Sequence, residues 1–245
     1  MNFISLPELS SGQEASWVGL LEISKIIPDG WSLIGGQLVQ LHCWERGAIP
    51  TRVTNDVDTV LDVRAEPKIL LKFTSALKEI GFSANTPTFQ GHQHRWVREE
   101  AIIDVLIARG LGERATSRKG VSGGTTLETV GGQGALDRAE KIQVAIGQNV
   151  GIINRPSLIG ALVIKSAAFS NPLDRARDRH LEDIALLSTL LTASDVPGNF
   201  SKNEIAKLST AVGVLDSRIE ILSSINDSLE GLERLKLLID QVEGY

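Results

Sequence analysis

The chain has a single cysteine, Cys43. That excludes an internal disulfide framework and suits a reducing compartment, with Cys43 expected as a small core side chain. No stretch approaches the roughly 18 apolar residues of a membrane span, and residues 1–11 lack the basic segment and apolar run of a secretory signal. Both absences lead to the expectation of a cytoplasmic protein with no membrane partner. A broad excess of positive charge is missing too: the formal net charge is −5, which argues against an extended nucleic-acid surface while leaving room for a local basic patch. There is no long-period repeat and no low-complexity segment. No nucleophile elbow or cysteine–histidine arrangement stands out, so acyl transfer is disfavoured. His92 and His94 could place two imidazoles on one strand face, but no third or fourth ligand follows at zinc-site spacing.

What is present is an ordinary globular composition, 42% hydrophobic and 22% charged over 245 residues. That length can bury a sizeable core in one large domain or two modest ones. The rest of the chain is organised around Trp31 to Val63. Trp31 to Ile34 reads as a short buried strand, and Gly35-Gly36 lets the backbone turn tightly into a helix carrying Leu38, Val39, Leu41 and Trp44. His42 on that helix reads as packed or capped. Thr54-Asn55-Asp56-Val57-Asp58 then opens a second strand. Its period-two alternation puts Asp56 and Asp58 on one face and Val57, Thr59, Leu61 and Val63 on the other. Two acids side by side repel unless a cation sits between them, and that arrangement holds divalent metal for phosphoryl chemistry. A glycine pair opening a helix leaves free N–H groups and a positive dipole end where phosphate fits, although glycine pairs are also ordinary turns.

In chain order, Ser11 to Glu14 has capping-box spacing ahead of a packing helix that stops at Pro28-Asp29-Gly30. Glu66 to Ile80 has helical spacing and ends at Gly81. Phe82 to Thr88 reads as a short strand and His92 to Arg98 as an exposed one. The run Ala101 to Ala108 is apolar except for Asp104 at its centre. An unpaired carboxylate there would cost on the order of several kcal/mol. A metal shared with Asp56 and Asp58 would satisfy it; so would pairing with an arginine such as Arg52 or Arg95, or an outward position on an edge strand. Arg109, Arg114, Arg118 and Lys119 face one acid in a glycine-punctuated loop, which could grip phosphate or RNA or serve as a solvated connection. The glycine-rich stretch 120–134 fits neither standard nucleotide fingerprint. Lys141 to Ile146 and Val150 to Ile153 read as a closing pair of strands.

From Arg155 the periodicity is helical, which places a boundary between a domain over 1–154 and a helical domain over 155–245. Pro156 suits the first helical position, and Leu158, Leu162, Lys165 and Phe169 share one face. Arg175 to Leu191 makes a second helix with Asp183 beside His180, Leu187 and Leu190. Lys165 and Asp183 could pair, or both could point into a cleft toward the strand acids, or the lysine could snorkel. Ser201 to Val212, Leu215 to Asn226 and Leu229 to Val242 complete a small bundle. The expected fold class is α/β (α+β): a mixed sheet with flanking helices followed by a C-terminal helical bundle.

The ordered set Gly35-Gly36, His42, Arg52, Thr54, Asp56-Val57-Asp58, Asp104, Lys165 and Asp183 resembles the AbiE-type toxin nucleotidyltransferases of the DNA polymerase beta-like superfamily, over roughly residues 31–191. The resemblance implies a nucleoside triphosphate bound at Gly35, Gly36 and Thr54, and Mg2+ or Mn2+ held by Asp56, Asp58 and Asp104. It also implies that Lys165 contacts the triphosphate and that Asp183 lies close by. Asp56, Asp58, Asp104 and Lys165 would then carry catalysis. Some members of that group modify tRNA and have a cognate antitoxin as partner. Two features depart from the pattern. Arg179-His180 precede Leu181-Glu182-Asp183 where relatives often show a basic residue and an aspartate, and Gly36 replaces a serine common in relatives. The resulting expectation is transfer of a nucleoside monophosphate to an acceptor hydroxyl, with the basic 109–119 loop tilting toward RNA. The alternatives are a small-molecule nucleotidyltransferase of the aminoglycoside-modifying kind and a catalytically silent nucleotide- or protein-binding module on the same fold.

Overall fold

The computed structural model describes residues 3–195 and 200–243; the outermost residues of the two expected domains, 1–2 and 244–245, lie outside it. A strand too short to show any periodicity, β1 (Phe3–Ser5), precedes α1 (Ser11–Ile26). The cap of α1 is Ser10, one residue earlier than the capping-box spacing suggests, and its side chain accepts from Gln13 N at 3.4 Å. Then come β2 (Trp31–Ile34), α2 (Gly35–Glu45), β3 (Asp56–Leu61), α3 (Ile69–Glu79), β4 (Ser83–Ala84), β5 (Arg95–Arg98) and β6 (Ala101–Ala108). The single turn α4 (Glu113–Thr116) leads to β7 (Leu127–Thr129), α5 (Gly132–Asp137), β8 (Ala139–Ile146) and β9 (Asn149–Pro156). The chain closes with α6 (Leu158–Phe169), α7 (Asp178–Thr189), α8 (Lys202–Asp216), α9 (Ile219–Ser224) and α10 (Ser228–Glu243).

The main sheet runs β2-β3-β6-β5-β4, with β7 pairing the far end of β6. It is mixed: β3 and β6 are parallel, while β2 and β5 run antiparallel to their neighbours. On one face Val57, Thr59, Leu61 and Val63 are buried, together with Ile103 and Val105, as the alternation of β3 predicts. Helix α1 packs there, between this sheet and a second, three-stranded one ordered β1-β8-β9. The expected closing strands are thus a hairpin in their own sheet. Its pairing runs on to Ala139 opposite Pro156, so Pro156 ends a strand and does not start a helix. Ser157 caps α6 instead, its side chain accepting from Gly160 N at 3.2 Å. Helices α6, α7, α8 and α10 pack on one another as the C-terminal bundle. A continuous apolar core links residues on both sides of position 155, from Ile4 through Val57 and Leu162 to Leu235. No helix among the described residues is long and apolar enough to cross a membrane.

Candidate active site

Strand register lines up the chemistry. Ile34 pairs with Asp58, Asp58 with Asp104, and Asp104 with Arg95, so one row across four adjacent strands reads Ile34, Asp58, Asp104, Arg95. Partners in register present side chains to the same face, the one turned away from α1. Asp56 lies two residues before Asp58 and shares that face. Arg95 answers the question raised by the carboxylate inside β6. Its Nε donates to Asp104 Oδ1 at 2.9 Å, and its Nη2 donates to Asp104 Oδ2 at 2.7 Å and to Asp56 Oδ2 at 2.9 Å. Asp56 also accepts from the Thr54 hydroxyl. Asp58 is the odd member: no hydrogen bond or ion pair to its carboxylate is seen among the described residues. Burial first, then the neighbouring charges of Asp104 and Asp56, push its carboxyl up to about 7.

This charge distribution bears directly on whether a metal fits. Three carboxylates face one guanidinium, and among the described residues no three acidic, histidine or cysteine side chains already close on a common point. The donors are hard carboxylate oxygens of the kind magnesium and manganese take, and Asp58, which Lys165 and Arg95 stabilise only at longer range, is the one with most to gain from a further cation. The residues therefore suit a divalent metal in donor chemistry, while their carboxylates as placed do not close on one point.

Asp58 lies directly against the glycine turn. A Cβ at Gly35 would stand 1.9 Å from Asp58 Oδ2, and Gly35 holds φ at +74°. At Gly36 a Cβ would come within 2.7 Å of the Thr54 methyl. The bare glycine at position 36 therefore lets Thr54 close over the turn. No side chain caps the first turn of α2, so its leading N–H groups and dipole face the space beside Asp58. Gly35→Ala is expected to move Asp58 and to cost roughly 1–3 kcal/mol from the positive φ alone. Thermal melting should show the loss, and metal-dependent nucleotide binding should weaken in the same variant.

Lys165 and Asp183 do pair. Lys165 Nζ donates to Asp183 Oδ2 at 2.6 Å and to the Gly35 carbonyl at 2.9 Å, so the lysine neither snorkels nor reaches into open space. Arg52 adds a fork to the same carboxylate, with Nη2 at 2.8 Å from Oδ2 and 3.0 Å from Oδ1. Burial alone would raise the Asp183 carboxyl, but Lys165 and Arg52 together hold it below its ordinary value. The two helices thus tie down both the glycine turn and the segment leading to Thr54.

A second set of contacts fixes that segment, and nothing in the sequence reading pointed to it. Gln37 donates to Thr54 O at 2.6 Å and Gln40 donates to Arg52 O at 2.8 Å. Gln13 donates to the side-chain oxygens of both, and Trp17 Nε1 donates to Gln37 Oε1 at 2.8 Å. All three glutamines are buried. Buried amides at i, i+3 facing a third from another helix are the only trace in the sequence, and amphipathic-pattern reading passes over them.

His42 is packed, as expected. Its Nε2 meets Pro156 O at 3.1 Å and its Nδ1 meets Arg155 Nη1 at 3.2 Å, and burial leads the effects that push it down to about 4. His92 Nδ1 meets the Thr125 hydroxyl at 2.9 Å, with no metal-like grouping around it among the described residues. The basic loop is partly anchored: Arg118 donates to Val63 O and Arg109 to Asn171 Oδ1, while Arg114 and Lys119 are exposed. It also follows the far end of β6. Arg109 is five residues beyond Asp104, about 16 Å along the strand.

No protein-family model matches the chain, and no curated protein matches it by sequence. A solved structure does share its fold. An antigenic nucleotidyltransferase-like protein from Paracoccidioides brasiliensis superposes with a TM-score of 0.52 at 20% identity, covering 92% of this chain and 94% of that one. At that identity the likeness shows the fold and nothing finer, so the chain has the fold of nucleotidyltransferase-like proteins without a particular tie to the AbiE group. The antibiotic-resistance factor ANT(2'')-Ia, solved in solution, covers 88% and 97% at 13% identity with a TM-score of 0.45, too loose a match to argue from.

Proposed function

We propose that the protein is a metal-dependent nucleotidyltransferase, transferring a nucleoside monophosphate from a triphosphate to an acceptor hydroxyl. The observation that carries this reading is the group of carboxylates beside the uncapped glycine turn, with the Asp58 carboxylate set against Gly35 and in no direct ion pair among the described residues. Asp56, Asp58 and Asp104 would hold Mg2+ or Mn2+, which when bound neutralises phosphate charge and activates the attacking oxygen. The N–H groups opening α2 receive phosphate oxygens. Lys165, through Gly35 O, and Arg52, through the segment before Thr54, keep that receiving surface in shape. The acceptor oxygen bonds to the α-phosphorus, the bond to the β-phosphate bridge breaks, pyrophosphate leaves, and Asp104 takes the acceptor's proton. Both Asp104 oxygens accept from Arg95, so that last step requires Arg95 to give one of them up. Catalysis here is positioning and charge compensation.

RNA, tRNA included, is the acceptor favoured by the basic loop, with Arg109, Arg114 and Lys119 exposed on it; a cognate antitoxin would follow if the protein is a toxin. The distance of that loop from the acids favours a second reading, a small hydroxyl-bearing acceptor such as an aminoglycoside. Incubation with each labelled triphosphate, using total cellular RNA in one arm and an aminoglycoside panel in the other, separates them. Label should move in one arm with the parent and in neither with Asp56→Asn. Equal labelling by parent and variant overturns the metal-site reading, and no labelling in any arm removes the proposed transfer.

A further inference from the structure

The geometry points to Arg95 as a built-in counter-cation that holds Asp56 and Asp104 in place before metal arrives and competes with metal for them. This rests on the metal-dependent reading above and adds a positioning residue to it. Arg95 stands directly opposite Asp104 in register, on β5. Its single nitrogen Nη2 reaches carboxylates of two different strands, at 2.9 Å and 2.7 Å. Asp104 is almost fully buried, 6% exposed, so without a partner it would carry an uncompensated charge inside the sheet. The Arg95 side chain as a whole is 36% exposed. It can therefore swing toward solvent when its partners are taken.

The division of labour across the row follows. Arg95 occupies Asp56 and Asp104 and leaves Asp58 free, which makes Asp58 the first ligand an arriving cation meets. Engagement of the other two carboxylates then needs Arg95 to yield one oxygen from each. A fixed positive charge this close also lowers affinity for any cation, which keeps the metal exchangeable until the triphosphate adds its own negative charge.

Two variants test this in the full chain: Arg95→Met, which keeps the stem and removes the charge, and Arg95→Lys, which keeps a point charge and loses the fork. The measurements are Mn2+ binding by calorimetry without nucleotide, and melting with and without Mn2+. Arg95→Met should bind Mn2+ about tenfold more tightly than the parent, the size expected for removing one partly screened neighbouring charge. It should melt lower than the parent in metal-free buffer and recover most of that gap at saturating Mn2+. Arg95→Lys should bind Mn2+ within about twofold of the parent by the same reasoning. Unchanged Mn2+ affinity in Arg95→Met, or an equal melting deficit with and without Mn2+, overturns the proposal and leaves the parent's metal site standing. If the parent binds no Mn2+ either alone or with a triphosphate, the metal-dependent reading falls and this inference with it. If Arg95→Met does not fold alone, pairing it with Asp56→Asn removes one repelling charge and should restore folding. Failure of that double variant to fold, with Mn2+ present as well, also overturns the proposal.

Discussion

Asp58→Asn should lower nucleotidyl transfer by about three orders of magnitude or more while raising the melting temperature of the metal-free protein. The two effects come from one cause. Asp58 pairs with Asp104 in register, lies two residues after Asp56 on the same face and against Gly35, and its carboxylate has no direct ion pair among the described residues, Lys165 and Arg95 acting on it only at longer range. Its charge is therefore unfavourable to the fold by itself and useful only toward a bound cation. Removing the charge and keeping the shape relieves first the burial of that charge and then its repulsion by Asp104 and Asp56, worth about 1–2 kcal/mol. For a chain of this length that corresponds to a rise of about 2–8 °C. Activity falls because a ligand to the metal is gone, a loss comparable to or larger than that of a fixed electrostatic donor. Mg2+ should raise the melting temperature of the parent and leave that of the variant nearly unchanged. A variant that is both active and less stable would mean that Asp58 is a structural acid with a partner of its own.

Asp183→Ala should be the most destabilising single change in the site. Asp183 is 2% exposed and receives Lys165, itself 3% exposed, and the fork of Arg52. Its removal leaves a buried ammonium with only the Gly35 carbonyl for company, and breaking a buried pair in this way costs about 3–5 kcal/mol. At about 2–4 °C per kcal/mol, melting should fall by roughly 10 °C. Because Lys165 also holds the glycine turn, affinity for nucleotide should drop with it. Lys165→Met should cost less, since Asp183 keeps Arg52. Urea or thermal melts of the two variants check the order, and a loss under about 2 °C for Asp183→Ala would show that the pair is screened by water the geometry does not suggest.

Much of this site could be read in the sequence because it depends on strand alternation. A period of two puts Asp56 and Asp58 on one face without further knowledge, and a lone acid in the apolar run 101–108 requires a partner wherever it sits. Which partner was open, and register decides it: Arg95 faces Asp104 because β5 and β6 form a hairpin across the two-residue turn Glu99-Glu100, with Glu99 at φ +53°, and that turn carries none of the usual glycine or asparagine signal. The strand β1 escaped notice because three residues carry no measurable period. Pro156 misled because its fixed φ suits a strand end as well as a first helical turn, and its hairpin partner Ala139 lies far back in the chain. The buried Gln13, Gln37 and Gln40 were passed over because amides on a helix resemble solvent-facing residues until another helix covers them. Lys165 and Asp183 stood out as charges on apolar stripes. Their orientation, under the glycine turn and not into a cleft, depends on the packing of α6 and α7 beside α2, which periodicity does not contain.

On the proposed function, Asp56 and Asp58 on β3, Asp104 on β6 and the open start of α2 together receive a metal-bound triphosphate. Calorimetric titration of the purified protein with a non-hydrolysable nucleoside triphosphate, once in Mg2+ and once in excess chelator, tests it most directly. Saturable binding in Mg2+ that disappears in chelator and in Asp58→Asn is the expected result. Binding of equal strength in both buffers, or none in either, would contradict it.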